Sequence, residues 1–455
     1  MDIFLQLDLP AILTAAFAAM ACAIAGCFLV LRRMSLMGDA ISHAVLPGIV
    51  ATFVFWESLQ ALPVFIGCAI VGVLTAFLSE LIHRLGRVEP GASMGIVFTV
   101  LFAIGVIWLN QVEYGGSGNV HIDADCVLYG DLQGVTWLDA PERLIEALSP
   151  AAWMTLPRQV VTLAIVLVFN IAFVALLFKE LRITAFDPGL AAAQGIPPAL
   201  MHYMLMTVVA MTTVAAFEAV GSILVVAMLI VPGLVAHLLT DRLVLLIPLS
   251  AVVACFAAVG GYSGAAAVDV NPAGMMGVVL GAILLAAGLL APRNGWIARL
   301  WNRAALATSI LREDMLGLLF RASEHGGPDA VLTPADVRHA VGGGMLAHVA
   351  CWRLRARSEA RLADGALHLT SVGAGRAATI VRSHRLWESF LVDRLGLRPD
   401  HVHGTATTLE HLTSAGMRDA LARSADDPAI DPHGRTIPGE APDATGTPPT
   451  DADGR

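Results

Sequence analysis

The sequence predicts an all-α polytopic membrane protein of about nine transmembrane helices, followed by a smaller soluble domain. The 455 residues are 56% hydrophobic and only 14% charged, whereas charged residues make up about a quarter of a typical soluble chain. Long apolar runs recur up to residue 292. After Arg303 they give way to a charged, helix-patterned stretch that contains no further spanning run.

Each apolar run is long enough to cross a hydrocarbon core of about 30 Å as a helix. The first run begins at Pro10, is too long for a signal-peptide core and lacks a clean cleavage site, so we expect it to be retained. Only Glu218 and Gly221 separate the sixth run from the seventh, which leaves eight or ten spans possible. The nine predicted spans are 10–31, 40–56, 61–82, 92–112, 158–178, 199–217, 220–240, 244–264 and 272–292.

Basic residues occur in alternate connections between the predicted spans, and such connections face the cytoplasm. The other connections carry almost none, apart from Arg143 and the boundary residue Arg158. This pattern predicts a multi-pass protein of the inner (plasma) membrane, with its N-terminus outside and everything after residue 293 inside. The basic residues are Arg32, Arg33, Arg84, Arg87, Lys179, Arg182, Arg242, Arg293, Arg299 and Arg303.

The stretch RRMSLMGDAISHAVLPG, from Arg32 to Gly48, places two polar side chains beside an apolar run. Asp39 and His43 are four residues apart and share one face of a helix. Ionisable groups in a span normally face a bundle interior or a water-filled path, and this pair suits a divalent ion such as Mn²⁺ or Zn²⁺. The alternative is a hydrogen-bonded pair that caps a helix end.

Two further connections contain candidate functional residues. His121, Asp123 and Asp125 lie in the external connection 113–157 and could meet a metal ion, although a solvated acidic loop is the alternative. In RITAFDPGLAAAQGIPP, Asp187-Pro188 begins a short helix and Gly195 ends it. This helix would suit docking of a cytoplasmic partner, or it is an ordinary interfacial helix.

Three stretches resemble the permease family of ABC importers for manganese, zinc and iron ions: RRMSLMGDAISHAVLPG, the AFDPGLAAAQGIPP loop, and EAVGSILVVAMLIVPG at 218–233. The resemblance covers roughly residues 10–293. It implies a permease dimer with itself or a paralogue, separate cytoplasmic ATPases and an external metal-binding protein. It also implies a transport path beside Asp39 and His43, and Glu218 in the third motif is a further candidate for this path. The implied ATPase-coupling helix contains Phe186, Asp187, Pro188 and Gly195.

The sequence lacks two kinds of motif, one for binding nucleotide phosphates and one for binding metal through cysteines. The chain has no GxxxxGK[ST] loop to cradle phosphates, so we expect a transporter subunit that is not itself an enzyme. Its six cysteines form no CxxC or zinc-finger spacing and are interpreted as buried small side chains. We expect no organic cofactor, and a divalent metal ion as substrate and as a candidate regulator.

The region after the spans resembles the iron- and manganese-dependent repressors. REDMLGLLFRASEHGG begins a first helix, LTPADVRHAVGGGMLAHVACWRLRA resembles a degenerate helix-turn-helix, and DPHGRTIPG resembles the segment that closes the metal-sensing region. This predicts a cytoplasmic α+β winged-helix and metal-sensor-like domain. The predicted divisions are a permease domain at 1–295, a winged helix at 305–375, a metal-binding and dimerisation region at 376–440, and a disordered tail at 441–455.

The resemblance implies two metal sites in this domain. His384, Glu388 and His403 match one site completely. The other would use Asp314, Glu410 and His411, but Thr407 stands where a cysteine or carboxylate is expected, and Gly317 where some manganese sensors have a glutamate. The alternative is a polar network in a dimer interface.

The predicted function is therefore inward transport of a divalent transition-metal ion, Mn²⁺ first and Zn²⁺ or Fe²⁺ next, with a cytoplasmic domain that senses metal. The alternatives are a membrane-tethered metal-responsive transcriptional regulator and a permease for a metal chelate. DNA binding is not expected, because the predicted recognition helix has glycine and apolar residues where base-reading side chains belong. Arg353, Arg355 and Arg357 could still neutralise phosphates.

Overall fold

The computed structural model describes residues 4–34, 37, 38, 40, 44, 46–56, 61–114, 130, 132–141, 153, 155–326, 332–426 and 428–440. Contacts divide the chain into two compact units, Met1–Ala298 and Arg299–Arg455. We call them the membrane unit and the C-terminal unit and describe each by itself.

Every regular secondary-structure element among the described residues of the membrane unit is a helix. Eight of its helical segments are long and apolar enough to cross a membrane, and Leu46–Trp56 is a shorter apolar helix. The predicted polytopic all-α fold is thereby confirmed. The helices are α1 (Leu9–Leu31), α2 (Leu46–Trp56), α3 (Ala61–Gly86), α4 (Pro90–Tyr114), α5 (Arg158–Leu176), α6 (Phe178–Phe186), α7 (Pro188–Ala193), α8 (Pro198–Val220), α9 (Ser222–Leu239), α10 (Leu243–Val268) and α11 (Pro272–Leu290).

Helix α1 lies at the centre of this unit and packs against α5, α8, α9 and α10. Its alanine-rich surface permits close approach, which drives helix association where water is excluded. A Cβ on Gly26 would collide with the backbone of Leu229 in α9. The contact between α1 and α9 therefore requires glycine at this position.

A few neutral polar groups also join α1 to its neighbours. The Asn170 amide of α5 donates hydrogen bonds to the Ala21 carbonyl, at 3.1 Å, and to the Thr212 hydroxyl of α8, at 2.8 Å. The Cys27 thiol donates to the Ser250 hydroxyl of α10 at 3.0 Å. Two of these bonds join α1 to α5 and α10, and the third joins α5 to α8.

The weakest predicted helix boundary, between the sixth and seventh spans, is a real break in the structure. Helix α8 ends at Val220 and α9 begins at Ser222. Gly221 between them has a φ of +77°, a left-handed conformation that glycine adopts without a steric penalty. The break follows from this one residue.

The C-terminal unit combines helices with a two-stranded antiparallel hairpin, which confirms the predicted α+β domain. Leu362 pairs with Leu367 in the hairpin, and the buried core under it includes Met315, Val337 and Leu354. The elements are α12 (Trp296–Gly326, which begins at the end of the membrane unit), α13 (Pro334–Ala340), α14 (Gly344–Ala356), β1 (Ala360–Ala363), β2 (Ala366–Leu369), α15 (Ser371–Asp393), α16 (His403–Glu410) and α17 (Ala415–Ser424).

Helices α13 and α14 form the helix-turn-helix, and β1 and β2 form its wing. Thr333 and Asp336 form a reciprocal capping box at the start of α13. The outward stripe of α14 consists of Met345, His348, Trp352 and Arg355, which are all exposed. Apolar side chains thus occupy half of the stripe that faces away from the core.

Candidate metal centres and partner contacts

The first cluster consists of His384, Glu388 and His403. His384 and Glu388 lie one turn apart on α15, and His403 is the first residue of α16. His384 Nε2 lies 3.1 Å from Glu388 Oε1, and His403 Nδ1 lies 3.0 Å from both of these atoms. Ligand atoms of all three residues lie within 4.8 Å of one another, a spacing that suits one metal ion.

Burial and pairing set the charge of the first cluster. Burial lowers the pKa of His384, but hydrogen bonds with Glu388 and Glu410 outweigh burial, and the pKa lies above its usual value. Burial raises the pKa of Glu388, yet hydrogen bonds from His384 and His403 lower it to about 2. Glu388 is therefore an ionised carboxylate at neutral pH, the form in which it binds a cation.

The first cluster opens onto a polar cavity of about 310 Å³. The segment at 428–440 supplies Asp431, His433 and Arg435 to the wall of this cavity. Asp431 Oδ1 accepts hydrogen bonds from the backbone N–H groups of His433 and Arg435 and so folds the segment on itself. His433 Nε2 lies 3.6 Å from Glu388 Oε1. The sequence pointed to this segment as closing the region, but gave no sign that His433 faces the cluster.

The second cluster consists of Asp314, Glu410 and His411. It joins α12 to the end of α16, and its ligand atoms also lie within 4.8 Å of one another. His411 Nε2 lies 3.1 Å from Asp314 Oδ1 and 3.7 Å from Glu410 Oε1. Hydrogen bonds with Asp314 and Glu313 raise the pKa of His411 to about 10 despite its partial burial.

The structure also shows why this cluster has three members. Thr407 donates its hydroxyl hydrogen bond to the His403 carbonyl, within its own helix, at 3.0 Å. Gly317 brings no side chain, although a Cβ there would meet no other atom within 4 Å. Thr407 and Gly317, which differ from the residues that the family resemblance leads us to expect, therefore add no ligand to the cluster.

Glu410 contacts both clusters. Its Oε2 lies 2.6 Å from His384 Nδ1, while its Oε1 faces His411. Arg321 Nη2 lies 3.7 Å from the same Oε2. The combined donor set contains only nitrogen and oxygen, which fits a divalent transition ion such as Mn²⁺, and the buried positions of His384, Glu388 and Glu410 keep those donors fixed.

The predicted transport-path residues are less fully described. Asp39 and His43 lie outside the described residues, as do His121, Asp123 and Asp125. Glu218 belongs to α8, two residues before its end, and its side chain is also outside the description. These assignments remain predictions.

The predicted partner-docking helix is present as α7. The Asp187 carboxylate caps it by accepting a hydrogen bond from the Leu190 N–H at 2.9 Å, and Pro188 is its first residue. Phe186 and Leu190 are both exposed. Gly195 lies in the turn that leads to α8. A capped helix with exposed apolar side chains can serve as a rigid contact for another protein.

Residues 5–147 and 151–291 match the ABC 3 transport family. The chain belongs to this family. The match covers the membrane unit, so the resemblance inferred from the three sequence motifs is confirmed. Residues 370–439 separately match the family described as "Iron dependent repressor, metal binding and dimerisation domain", which contains the first cluster, Glu410 and His411.

Two relatives of this chain are described as membrane proteins of metal transport systems. The manganese transport system membrane protein MntD of Bacillus subtilis is 44% identical over 288 residues, which are 63% of this chain and 93% of the relative. The zinc transport system membrane protein TroD of Treponema pallidum is 37% identical over 319 residues, 70% of this chain and 83% of the relative.

A solved structure agrees with the family assignment. PsaBC from Streptococcus pneumoniae in complex with Fab matches with a TM-score of 0.51 and 29% identity, over 63% of this chain and 92% of that chain. The membrane unit therefore shares its fold with this solved structure.

Proposed function

We propose that this chain is the membrane permease subunit of an importer that moves a divalent transition-metal ion into the cytoplasm, and that its C-terminal unit senses the imported metal. Mn²⁺ is the first candidate, followed by Zn²⁺ and Fe²⁺. The observation that carries the proposal is that one chain contains both an ABC 3 membrane unit and a C-terminal unit that matches the iron-dependent repressors. In the C-terminal unit, two clusters of nitrogen and oxygen ligands come together in the fold.

The proposed transport path passes Asp39, His43 and Glu218. A doubly charged ion loses much of its hydration in a narrow path, and carboxylate and imidazole groups can replace that water transiently. The mainly apolar sequence around these residues supports this role, because an ionisable group in a span needs a functional reason.

The proposed energy source is ATP hydrolysis on a separate cytoplasmic subunit. Helix α7, with its flanking residue Phe186, is the proposed contact, since it is rigidly capped and exposes apolar side chains. The other proposed partners are a second permease chain, identical or paralogous, and a metal-binding protein outside the membrane. The positive-inside pattern supports an external N-terminus and a cytoplasmic C-terminal unit.

The transport proposal is tested by uptake of radioactive ⁵⁴Mn²⁺ and ⁶⁵Zn²⁺ in cells that carry the complete system. We expect Asp39→Asn and His43→Ala to abolish uptake of the preferred ion while both variants remain in the membrane. His237→Gln is the matched control, because His237 is an exposed histidine in the last turn of α9. Unchanged uptake in both path variants would show that Asp39 and His43 are structural.

The sensing proposal is tested at high internal Mn²⁺. We expect the full-length double variant His384→Ala/His411→Ala, which disables both clusters, to keep importing when the wild type slows. Equal inhibition of the two proteins would contradict metal sensing by these clusters and leave the transport assignment intact.

A second candidate function is transcriptional regulation from the membrane. It is favoured by the helix-turn-helix with its wing, and by exposed Arg355 and Arg357 at the end of α14. Apolar Met345 and Trp352 on the outward stripe argue against base reading, since recognition uses polar side chains in the major groove. Sequence-specific DNA retention by the purified, Mn²⁺-loaded protein would support this candidate over a transport-linked sensor.

A further inference from the structure

Glu313 is a carboxylate beside the second cluster that does not belong to it. It neighbours Asp314 on α12, yet its Oε2 points to the opposite side of the His411 ring, where it lies 2.8 Å from Nδ1. Its Oε1 lies 3.6 Å from Arg312 Nη2.

The two nitrogens of His411 therefore have different surroundings. Nε2 faces Asp314 and Glu410, so it is the nitrogen that a metal ion in the second cluster would meet. A neutral imidazole that binds a metal through Nε2 carries its proton on Nδ1. That proton can then be donated to Glu313, an arrangement that fixes the tautomer and orientation of a metal-binding histidine.

A chain of ion pairs holds Glu313 in this position. Arg312 also contacts Glu359, with Nη1 3.5 Å from Oε1. Glu359 is fully buried at the base of the wing and contacts Arg376 of α15. Because Arg312 is held from its other side, the Glu313 carboxylate has a fixed cationic neighbour.

We propose that Glu313 is a positioning residue of the second metal site, which holds His411 with Nε2 directed at the ion. This inference rests on the proposed metal binding by that cluster. Orientation matters more here than in a four-ligand site, because Thr407 and Gly317 supply no further donor and each of the three ligands carries a larger share of the affinity.

The test measures Mn²⁺ binding to the full-length protein in detergent, by the electron paramagnetic resonance signal of free Mn²⁺. A His403→Ala background weakens the first cluster, and binding that is lost on adding His411→Ala or Asp314→Ala defines the second site. In that background we expect Glu313→Ala to weaken the second site by about 10- to 100-fold. Glu313→Gln retains an oxygen that can accept from Nδ1–H, so its loss should be smaller.

Glu324→Ala is the matched control, because Glu324 lies on the same helix and is also ion-paired, but with Arg385. We expect it to leave the second site unchanged. If Glu313→Ala binds Mn²⁺ as tightly as the background while His411→Ala loses the ion, the positioning role is wrong and the metal site stands. If His411→Ala and Asp314→Ala lose nothing, the metal site itself is wrong. Equal losses in Glu313→Ala and Glu313→Gln, accompanied by equally lowered thermal stability without metal, would indicate a structural role and overturn the proposal.

Discussion

The two units bury different kinds of polar side chain. Among the described residues of the membrane unit, the buried polar side chains are hydroxyls and one amide, such as Thr14, Ser250 and Asn170. The C-terminal unit buries hydroxyls too, but it also buries charged and ionisable groups, which are Glu359, His384, Arg385, Glu388, Glu410, Arg418 and Asp431. One unit depends on neutral contacts between close-packed helices, and the other on paired charges.

The difference follows from the surroundings of each unit. A charge in a spanning helix needs a partner or a water-filled path, so the polar side chains that are fully buried among the described residues of the membrane unit are neutral. In the C-terminal unit each buried charge has an oppositely charged neighbour, as Arg385 has in Glu324 and Asp431. Removing a partner that no second group of the same charge replaces leaves the other charge without compensation.

The largest expected effect is therefore the loss of a buried charge in the C-terminal unit. Glu359→Ala would leave Arg312 and Arg376 without their shared carboxylate and should destabilise this unit by about 3–5 kcal/mol. The change is measured by heating the full chain and using limited proteolysis to detect unfolding of the C-terminal unit at each temperature. Asp419→Ala removes an exposed carboxylate of α17 and should have little effect. Equal stability of the two variants would show that the buried pairs do not hold this unit together.

An intermediate effect is expected where α1 meets α9. Gly26→Ala places a methyl group against the Leu229 backbone, and overpacking of this kind costs about 1–3 kcal/mol. Gly281→Ala in α11 is the control, since a Cβ there meets no atom within 4 Å. The measurement is the thermal stability of each variant in detergent. Destabilisation by both variants to the same degree would mean that added side-chain volume, rather than this contact, is responsible.

The smallest effect is expected from a neutral hydrogen bond. Asn170→Leu removes the bonds to Ala21 and Thr212, and such interhelical bonds in membranes contribute about 0.6 kcal/mol on average. Thr99→Val removes a bond that Thr99 makes within its own helix, to the Gly95 carbonyl, and is the control. The same detergent assay measures both. An Asn170 effect larger than that of Glu359→Ala would reverse the contrast between the units.

The sequence predicted the helices well and the contacts between distant residues poorly. Hydropathy located spans such as 158–178, which the structure gives as Arg158–Leu176, because the apolar length of a span is a local property. The i,i+4 spacing of His384 and Glu388 was equally visible. The roles of Asp39 and His43 remain predictions.

Contacts between residues far apart in the chain had no comparable signal. Glu313 meets His411 across 98 residues, and Asn170 meets Ala21 across 149. Each depends on how whole helices pack, which spacing along the chain does not encode. His433 could have been suspected only from the resemblance of its segment to the end of the repressor metal region.

Helix α12 links the part of the chain proposed to transport metal to the part proposed to sense it. It begins at Trp296, at the end of the membrane unit, and continues to Gly326 in the C-terminal unit. Each translated copy of the permease therefore includes its own pair of clusters. The ratio of proposed sensing units to permease chains is one to one at every expression level. The cell does not have to match the amount of a separate sensor protein to the amount of permease.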